Sequence, residues 1–349
     1  MATAKWDGQR WRIRVCVNGK VRSYSCTTPG RKGKQEVEAK AAKGSRLTEI
    51  VTFGVAWDRY LEQVKCLTGP DNYINVESIG RNYFLPTLAD MKLNTLTFQD
   101  FQSLIFSLKK KNGEPLSKKT LSNVRTVLVS FAKFCEGSQI MDLKLNLLRT
   151  PKNAPRIGKV ILQPNESRRL MTEFEDEWYI NLWRWLLCTG MRPGEALGLK
   201  WSDIENNVVT IKRSRNYRGR ETEGKNDNAR RAVGLNSILK GILDAQHTRT
   251  WRLNAEYIFC DHAGKESKQT VTKNSWNRIA KELDTEATPY SLRHTFISYM
   301  AQDLPEEALK EMIGHGLRMD TYGIYRHAVN GQAERIANMS NEALIKLIN

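Results

Sequence analysis

The chain has 349 residues and a mass of 40.0 kDa, a length typical of two or three domains. It contains 55 Lys and Arg against 38 Asp and Glu, a formal net charge of +17. The sequence has no apolar run long enough for a transmembrane helix and no secretory signal at its N-terminus. This excludes a transmembrane helix, and the charge predicts a polyanionic partner, either nucleic acid or an anionic membrane surface.

Residues 1–50 carry a net charge of +8, nearly half of the total excess, which indicates a separate basic module that binds nucleic acid. Apolar and basic residues alternate over 10–28 around an Asn18-Gly19 turn, the pattern of a β-hairpin, and a short helix is expected at about 34–43. A basic sheet face fits a DNA groove, whereas the alternative is a solvated sheet edge kept soluble by charge. The candidate DNA contacts are Arg12, Arg14, Lys20 and Arg22.

Residues 51–150 predict an all-helical module. Apolar residues recur at helical spacing over 53–64, 98–108 and 121–135. Lys118 and Lys119 belong to a lysine-rich connection between the last two of these helices. The pair either contacts DNA phosphates or consists of ordinary helix-end lysines.

Residues 151–162 have the composition of a linker, with two prolines and no periodicity in the Thr150–Lys159 stretch, so a domain boundary is predicted there. Residues 163–349 mix helices with strands near 208–211 and before 235. The tail 331–348 is an amphipathic helix that packs on its own core or on a neighbouring protomer. The expected fold class is therefore α+β and multidomain: an N-terminal sheet with a helix, an all-helical module, and a mainly helical domain with a small antiparallel sheet.

The six cysteines form no C-x-x-C pair, which predicts reduced thiols in the cytoplasm. Cys260 and His262 are two residues apart and are the nearest approach to a metal-ligand cluster. A metal site needs three or four converging ligands, and no second cluster offers them. We therefore predict no metal.

Three segments carry residues suited to phosphate chemistry: 188–204, 288–296 and 313–327. Together they offer four arginines, among them Arg192 and Arg293, three histidines and two tyrosines near the C-terminus. The sequence contains neither a Gly-rich ATP-binding loop nor a Ser-His-Asp ordering. Arginine forks stabilise charge on phosphate oxygens, and tyrosine serves as a covalent nucleophile. The combination indicates phosphoryl transfer to a tyrosine on nucleic acid.

The same segments resemble the three boxes of the tyrosine recombinase family, also called the phage integrase family. TGMRPGEALGLKWSDI resembles the first box, YSLRHTF the second box with its H-x-x-R pattern, and IGH followed by a tyrosine the third. The resemblance covers 163–330 in the right order. It implies an integrase of the three-domain type: an arm-type DNA-binding domain at 1–50, a core-binding domain at 51–150 and a catalytic domain at 163–349 with a C-terminal helix.

The resemblance implies a role for each matching residue. Arg192 and Arg293 would bind the scissile phosphate, and His315 would donate a hydrogen bond to it. Glu195 would orient its neighbours rather than react. Lys225, in a segment similar to the family's catalytic β-hairpin, would protonate the leaving 5′ oxygen.

The sequence departs from the family pattern at the second box and leaves two candidate nucleophiles. Tyr290 stands where the family has the first histidine of H-x-x-R, and its phenol, with a pKa of ~10, suits a hydrogen-bond donor better than a base. His294 is expected to be a supporting, packing residue. Tyr325, ten residues after His315, is the expected nucleophile, and Tyr322 is the alternative.

The implied activity is site-specific recombination through a 3′-phosphotyrosyl intermediate and a Holliday junction, integrating or excising a mobile element such as a prophage or a conjugative transposon. No cofactor is implied, because the phosphotyrosyl bond conserves the energy of the cleaved bond. The implied partners are double-stranded DNA with core and arm-type sites, three further copies of the chain in a homotetramer, accessory DNA-bending proteins and an excisionase, in the cytoplasm of a prokaryotic host. The alternatives are a type IB topoisomerase and a cleavage-inactive DNA-binding regulator of the same fold.

Overall fold

The computed structural model describes residues 3–17, 20–46, 51–216, 219–222, 231–314 and 332–348. The chain divides into two compact units, Met1–Ile157 and Gly158–Asn349, and this boundary lies inside the segment predicted as a linker. The two ends of that segment are packed. Ala154 lies against the hydrophobic cluster of the helical module, and Leu162 is completely buried in the second unit. Within the described residues, no helix is both long and apolar enough to span a bilayer.

The first unit begins with a three-stranded antiparallel sheet of β1 (Lys5–Trp6), β2 (Trp11–Val17) and β3 (Lys20–Cys26), in the order β1-β2-β3. Helix α1 (Gly30–Arg46) packs on β2 and β3 and is longer than the helix predicted at 34–43. A Cβ at Gly33 would lie 1.6 Å from the carbonyl oxygen of Thr28, so only glycine permits this close start of the helix. The Asn18-Gly19 turn lies outside the described residues, but the pairing of Val17 with Lys20 has the register of a two-residue turn.

The rest of the first unit is helical. The three predicted helices are present, and each begins at a Thr or Ser whose side chain accepts a backbone hydrogen bond: Thr52, Thr97 and Ser117. Two helices after Gly69 were not predicted, because their apolar residues lack a clear helical period. The helices are α2 (Phe53–Leu67), α3 (Pro70–Ile79), α4 (Leu85–Leu88), α5 (Phe98–Ser107) and α6 (Lys118–Gly137), with a π-helical turn at Gly80–Phe84.

An aromatic cluster forms the core of this helical module. Phe53, Trp57, Phe84 and Phe131 are all completely buried, with ring centroids 4.9–6.4 Å apart in the contacting pairs. A Cβ at Gly80 would lie 2.3 Å from the Trp57 ring, so the indole packs directly on the backbone of the π turn. The module therefore has a hydrophobic core of its own, distinct from the small cluster between the N-terminal sheet and α1.

The second unit is mainly helical. Its helix α8 is buried at every residue, with Trp183 and Trp185 at its centre, and the other helices surround it. The helices are α7 (Pro164–Thr172), α8 (Ile180–Thr189), α9 (Pro193–Leu197), α10 (Ser237–Thr250), α11 (Gln269–Glu282), α12 (Pro289–Asp303), α13 (Glu306–Ile313) and α14 (Gln332–Ile348).

Two small antiparallel sheets complete the second unit. One has the order β4-β5-β8, and the other pairs β6 with β7. The strands are β4 (Ile204–Glu205), β5 (Val208–Ile211), β6 (Ser214–Arg215), β7 (Glu221–Thr222) and β8 (Arg231–Gly234). The predicted α+β class is confirmed.

The C-terminal helix α14 packs on its own chain. It lies against β8, α7 and α12, and Ile336, Leu344 and Leu347 are buried in the core of the second unit. Asn236 Nδ2 donates a hydrogen bond to Ser340 Oγ at 3.3 Å. In a single chain the amphipathic tail therefore packs on the chain's own core, which is one of the two partners predicted for it.

Candidate active site

The first motif forms a tight turn between α8 and α9. Gly190 ends α8 with φ +61°, and a Cβ there would lie 2.3 Å from the Phe296 ring, so both conformation and space require glycine. Pro193 then begins α9, where a missing N–H costs nothing. Arg192 lies between these two constraints, so the turn fixes its backbone.

The carboxylate of Glu195 fixes the side chain of Arg192. Arg192 donates to it twice, from Nη1 to Oε1 at 2.6 Å and from its backbone N–H to Oε2 at 3.0 Å. Glu195 is buried, whereas the Arg192 side chain is 37% exposed. The buried carboxylate therefore holds the guanidinium in place while part of the side chain remains accessible to a ligand. Burial opposes ionisation of Glu195, but Arg231 and Arg192 outweigh it and hold the pKa of this carboxyl below its ordinary value.

The second motif places a buried arginine beside the first. Arg293 on α12 is only 1% exposed, and its fork donates from Nη1 to the Gly190 carbonyl at 2.6 Å and from Nη2 to the Ile313 carbonyl at 2.7 Å. Burial, and then the charge of nearby Arg192, lower the pKa of Arg293 to about 10, so it remains protonated at neutral pH. The site thus contains two neighbouring guanidiniums, an arrangement that a bound anion would stabilise.

The third motif begins where α13 ends. Gly314 caps α13 with φ +62°, and the carbonyls of Met312 and Ile313 accept hydrogen bonds from Arg231 and Arg293. His315, the next residue, lies outside the described residues, as do Lys225, Tyr322 and Tyr325. The described flanks place Lys225 between β7 and β8, and the two tyrosines between α13 and α14.

Tyr290 and His294 lie on the same face of α12 as neighbours four residues apart. Their rings meet edge to face, with centroids 5.0 Å apart, and Tyr290 is 43% exposed whereas His294 is half-buried. Tyr290 is also close enough to Arg293 to influence its ionisation. An exposed hydroxyl beside the arginine pair suits a hydrogen bond to a bound anion.

The candidate DNA contacts of the N-terminal sheet lie on two faces. Arg12 and Arg14 pair with Ser25 and Ser23, and all four are exposed on the face away from α1. Arg22 pairs with Val15, and residues directly opposite in a ladder share a face, so Arg22 belongs to the α1 side. Lys20 pairs with Val17, and these two residues lie two positions along their strands from the pair of Arg22 and Val15. The hairpin register therefore separates Arg12 and Arg14 from Arg22, which the sequence had grouped together.

Arg231 is the residue that the sequence prediction missed. It joins the first and third motifs through Glu195 and Met312. In the sequence, Arg231 is simply the second residue of the basic pair Arg230-Arg231, and such pairs are common on protein surfaces. The chain positions of its partners, 36 and 81 residues away, explain why no local pattern indicated it.

Side chains that bind metals do not gather in the described part of the chain. No group of three His, Cys, Asp or Glu residues there is arranged to bind an ion. Cys260 is buried, and His262 stacks on Trp178 with ring centroids 4.1 Å apart. Cys260 is therefore enclosed, whereas His262 is exposed and contacts a tryptophan ring rather than the thiol.

The second unit thus brings the side chains of Arg192 and Arg293 together beside the three sequence motifs. The family model of the phage integrase family matches residues 161–331, which include all three motifs. The chain belongs to this family, the tyrosine recombinases.

Relatives of similar length support this membership. A tyrosine recombinase XerC-like protein of Caldanaerobacter subterraneus subsp. tengcongensis is 23% identical, and the match covers 90% of this chain and 91% of the relative. The ICEBs1 integrase of Bacillus subtilis is 22% identical, and the match covers 90% of both chains.

Solved structures show the same fold. The Tn1549 transposon integrase in complex with transposon right end DNA superposes with a TM-score of 0.62 at 20% identity, over 84% of this chain and 100% of that chain. A lambda integrase tetramer bound to a Holliday junction superposes with a TM-score of 0.62 at 14% identity, over 94% of this chain and 98% of that chain.

Proposed function

We propose that the chain is a site-specific DNA recombinase that cuts and rejoins DNA through a 3′-phosphotyrosyl intermediate, integrating or excising a mobile element. The observation that carries this proposal is the arginine pair. Arg293 is buried beside Arg192, and within the described part of the chain its hydrogen-bond acceptors are two backbone carbonyls. The Arg192 guanidinium is held by Glu195 and remains partly exposed. A phosphodiester at this point would compensate both charges and gain bidentate hydrogen bonds.

The proposed reaction begins with the hydroxyl oxygen of Tyr325, which attacks the scissile phosphorus. The new bond joins tyrosine oxygen to phosphorus, and the bond from phosphorus to the 5′ oxygen breaks. Lys225 gives the leaving 5′ oxygen its proton, while the tyrosine proton passes to water. Arg192, Arg293 and His315 stabilise the charge on the non-bridging oxygens. Attack by the 5′ hydroxyl of a partner strand reverses these steps, so no cofactor is consumed.

The proposed assembly is a homotetramer that joins two DNA duplexes through a Holliday junction. The lambda integrase tetramer has the same fold and is bound to such a junction. Accessory DNA-bending proteins and an excisionase would bias the direction of recombination. The proposed setting is the nucleoid in the cytoplasm of a prokaryotic host.

Two basic surfaces of the first unit are proposed to bind the duplex. The exposed sheet face with Arg12 and Arg14 would bind arm-type sites, because a two-stranded ribbon fits the major groove. Lys118 and Lys119 lie in the first turn of α6, where the helix dipole disfavours cations. Helix-end stabilisation therefore does not account for these lysines, which favours phosphate contact at the core site.

A suicide DNA duplex, nicked next to the cleavage site, tests the proposed function. Cleavage releases a short strand that diffuses away, so a recombinase becomes covalently trapped on the DNA. A cleavage-inactive regulator would bind the duplex without forming this adduct. A type IB topoisomerase would form the adduct and relax supercoiled DNA, but it would not exchange strands between two attachment sites.

Tyr290→Phe is expected to slow cleavage by at most about tenfold, the effect of one lost neutral hydrogen bond. Phe retains the ring contact with His294, so the variant isolates the hydroxyl. Tyr290→His is expected to be tolerated or mildly activating. Single-turnover cleavage of the nicked duplex measures both variants. A loss of several powers of ten in Tyr290→Phe would instead assign proton transfer to Tyr290.

Deletion of residues 1–50 is expected to weaken binding to arm-type sites while cleavage at the core site persists, because the helical module has its own core. Core-site affinity should still fall steeply with salt, by about 0.9 logarithmic units per phosphate contact for each tenfold rise in salt. Mobility shifts and cleavage assays measure the two activities. Loss of core-site cleavage on deletion would contradict the separation of roles.

Substitution within the full chain refines this test. Arg14→Gln should weaken arm-site binding, whereas Arg22→Gln, which removes the same single charge from the other face of the sheet, is the matched control. An equal loss in both would show that net charge, rather than the exposed face, determines binding.

A further inference from the structure

Arg231 connects two parts of the candidate site that are far apart in the sequence. It begins β8, and its side chain is 6% exposed. Nη2 donates to Glu195 Oε2 at 2.8 Å, and Nε donates to the Met312 carbonyl at 2.7 Å. Glu195 anchors Arg192, and Met312 lies in the last turn of α13, three residues before His315. The Arg231 guanidinium therefore connects Glu195, the residue that holds Arg192, with Met312, the residue just before the third motif.

The contacts of Arg231 cost more folding free energy than those of a simple buried ion pair. Arg231 Nη1 is also buried and has no hydrogen-bond acceptor among the described residues. A buried donor without a partner lowers the free energy of unfolding, so its retention calls for an explanation, of which a role in the reaction is one. Glu195 also receives donors from two arginines, so removing one of them alters the orientation of the other.

We propose that Arg231 is a positioning residue for strand cleavage: it bridges the Glu195 carboxylate and the Met312 carbonyl, and thereby fixes Arg192 relative to the turn that leads into His315. This inference rests on the proposed recombinase function. Arg231 acts through its neighbours, because its guanidinium donates to the Glu195 carboxylate and the Met312 carbonyl. Displacement of a phosphate-binding group by about 1 Å is enough to slow a reaction about a hundredfold.

The test compares the full-length wild type with Arg231→Gln and Arg231→Lys in single-turnover cleavage of the nicked duplex, in core-site binding and in thermal unfolding. Arg231→Gln is expected to cleave about a hundredfold more slowly, with core-site affinity within about threefold of wild type. Arg231→Lys retains the charge but not the fork, so it is expected to be impaired as well. The proposal is overturned if either variant folds and cleaves within about threefold of wild type.

A double variant tests whether Arg231 acts through Glu195. With Glu195→Gln already present, adding Arg231→Gln is expected to slow cleavage by no more than about a further threefold, because both substitutions disrupt one unit. If the two substitutions together slow cleavage by the product of their separate effects, the proposal is overturned.

Arg184→Gln is the matched control, because the Arg184 side chain is likewise buried and donates to the Leu170 carbonyl and the Glu175 carboxylate, both outside the three motifs. It should lower thermal stability as Arg231→Gln does, yet cleave at close to the wild-type rate. An equal loss of cleavage in Arg184→Gln would reduce Arg231 to a structural role.

If the wild type forms no adduct, the recombinase function is rejected. The bridge that Arg231 forms between Glu195 and Met312 can then still be tested by unfolding experiments. In denaturant unfolding, Arg231→Gln and Glu195→Gln should be non-additive if the bridge exists. Additive losses in the free energy of unfolding would overturn the bridge itself, whether or not the protein cleaves DNA.

Discussion

Tyr325→Phe is expected to abolish the covalent protein–DNA adduct while leaving DNA binding intact. The substitution removes only the oxygen proposed to attack, and phenylalanine has no group that can form a bond to phosphorus. Without the nucleophile, the phosphotyrosyl route is closed, so the adduct on the nicked duplex should fall below detection. Denaturing electrophoresis of the trapped complex measures the adduct, and mobility shifts measure binding.

Tyr322→Phe is the matched control for this experiment. Both tyrosines lie in the segment between α13 and α14, three residues apart, and each variant loses one hydroxyl. Tyr322→Phe is expected to form the adduct normally, and peptide mapping of the wild-type adduct should identify Tyr325. The reverse pattern, with an adduct in Tyr325→Phe and none in Tyr322→Phe, would assign Tyr322 as the nucleophile.

Arg293→Lys is expected to slow cleavage by about 10²–10³-fold, the effect of removing one preorganised donor from a site where charge develops. Lysine keeps a positive charge, but one ammonium group cannot reproduce the planar fork that contacts the Gly190 and Ile313 carbonyls. The variant should therefore lose both its phosphate contact and the connection among the three motifs. Single-turnover cleavage at saturating protein measures the chemical step separately from binding.

Arg184→Lys separates catalysis from stability. Arg184 is also buried, and its fork contacts the Leu170 and Glu173 carbonyls, away from the three motifs. Both variants are expected to lower the melting temperature, since each leaves a buried carbonyl short of a donor, at a cost of about 1–3 kcal/mol. Only Arg293→Lys is expected to lose cleavage. Equal loss in both would mean that Arg293 serves the fold and not the reaction.

Some features of the fold could be predicted because the residues that determine them are neighbours in the chain. Alternation along Trp11–Val17 predicts a strand, and Thr97 and Ser117 mark helix starts because a capping side chain binds the backbone three residues on. The helix α3 was missed for the corresponding reason. Only Val76 and Ile79 are buried on it, so it carries no local period and is stabilised by its packing on neighbouring elements.

The sequence by itself determined the fold class and the three family motifs. It also determined the turn around Arg192, because Gly190 and Pro193 dictate that turn through backbone chemistry alone. The tertiary structure decided the rest of the described site. The fork of Arg293 spans 103 residues to Gly190 and 20 to Ile313, and Arg231 reaches 36 residues to Glu195. It also decided that α14 packs on its own core and that Arg22 and Arg14 occupy opposite faces. These outcomes depend on which distant segments bury apolar surface against each other and which distant donors satisfy buried carbonyls. Contacts between distant segments leave no periodic pattern or fixed spacing in the sequence.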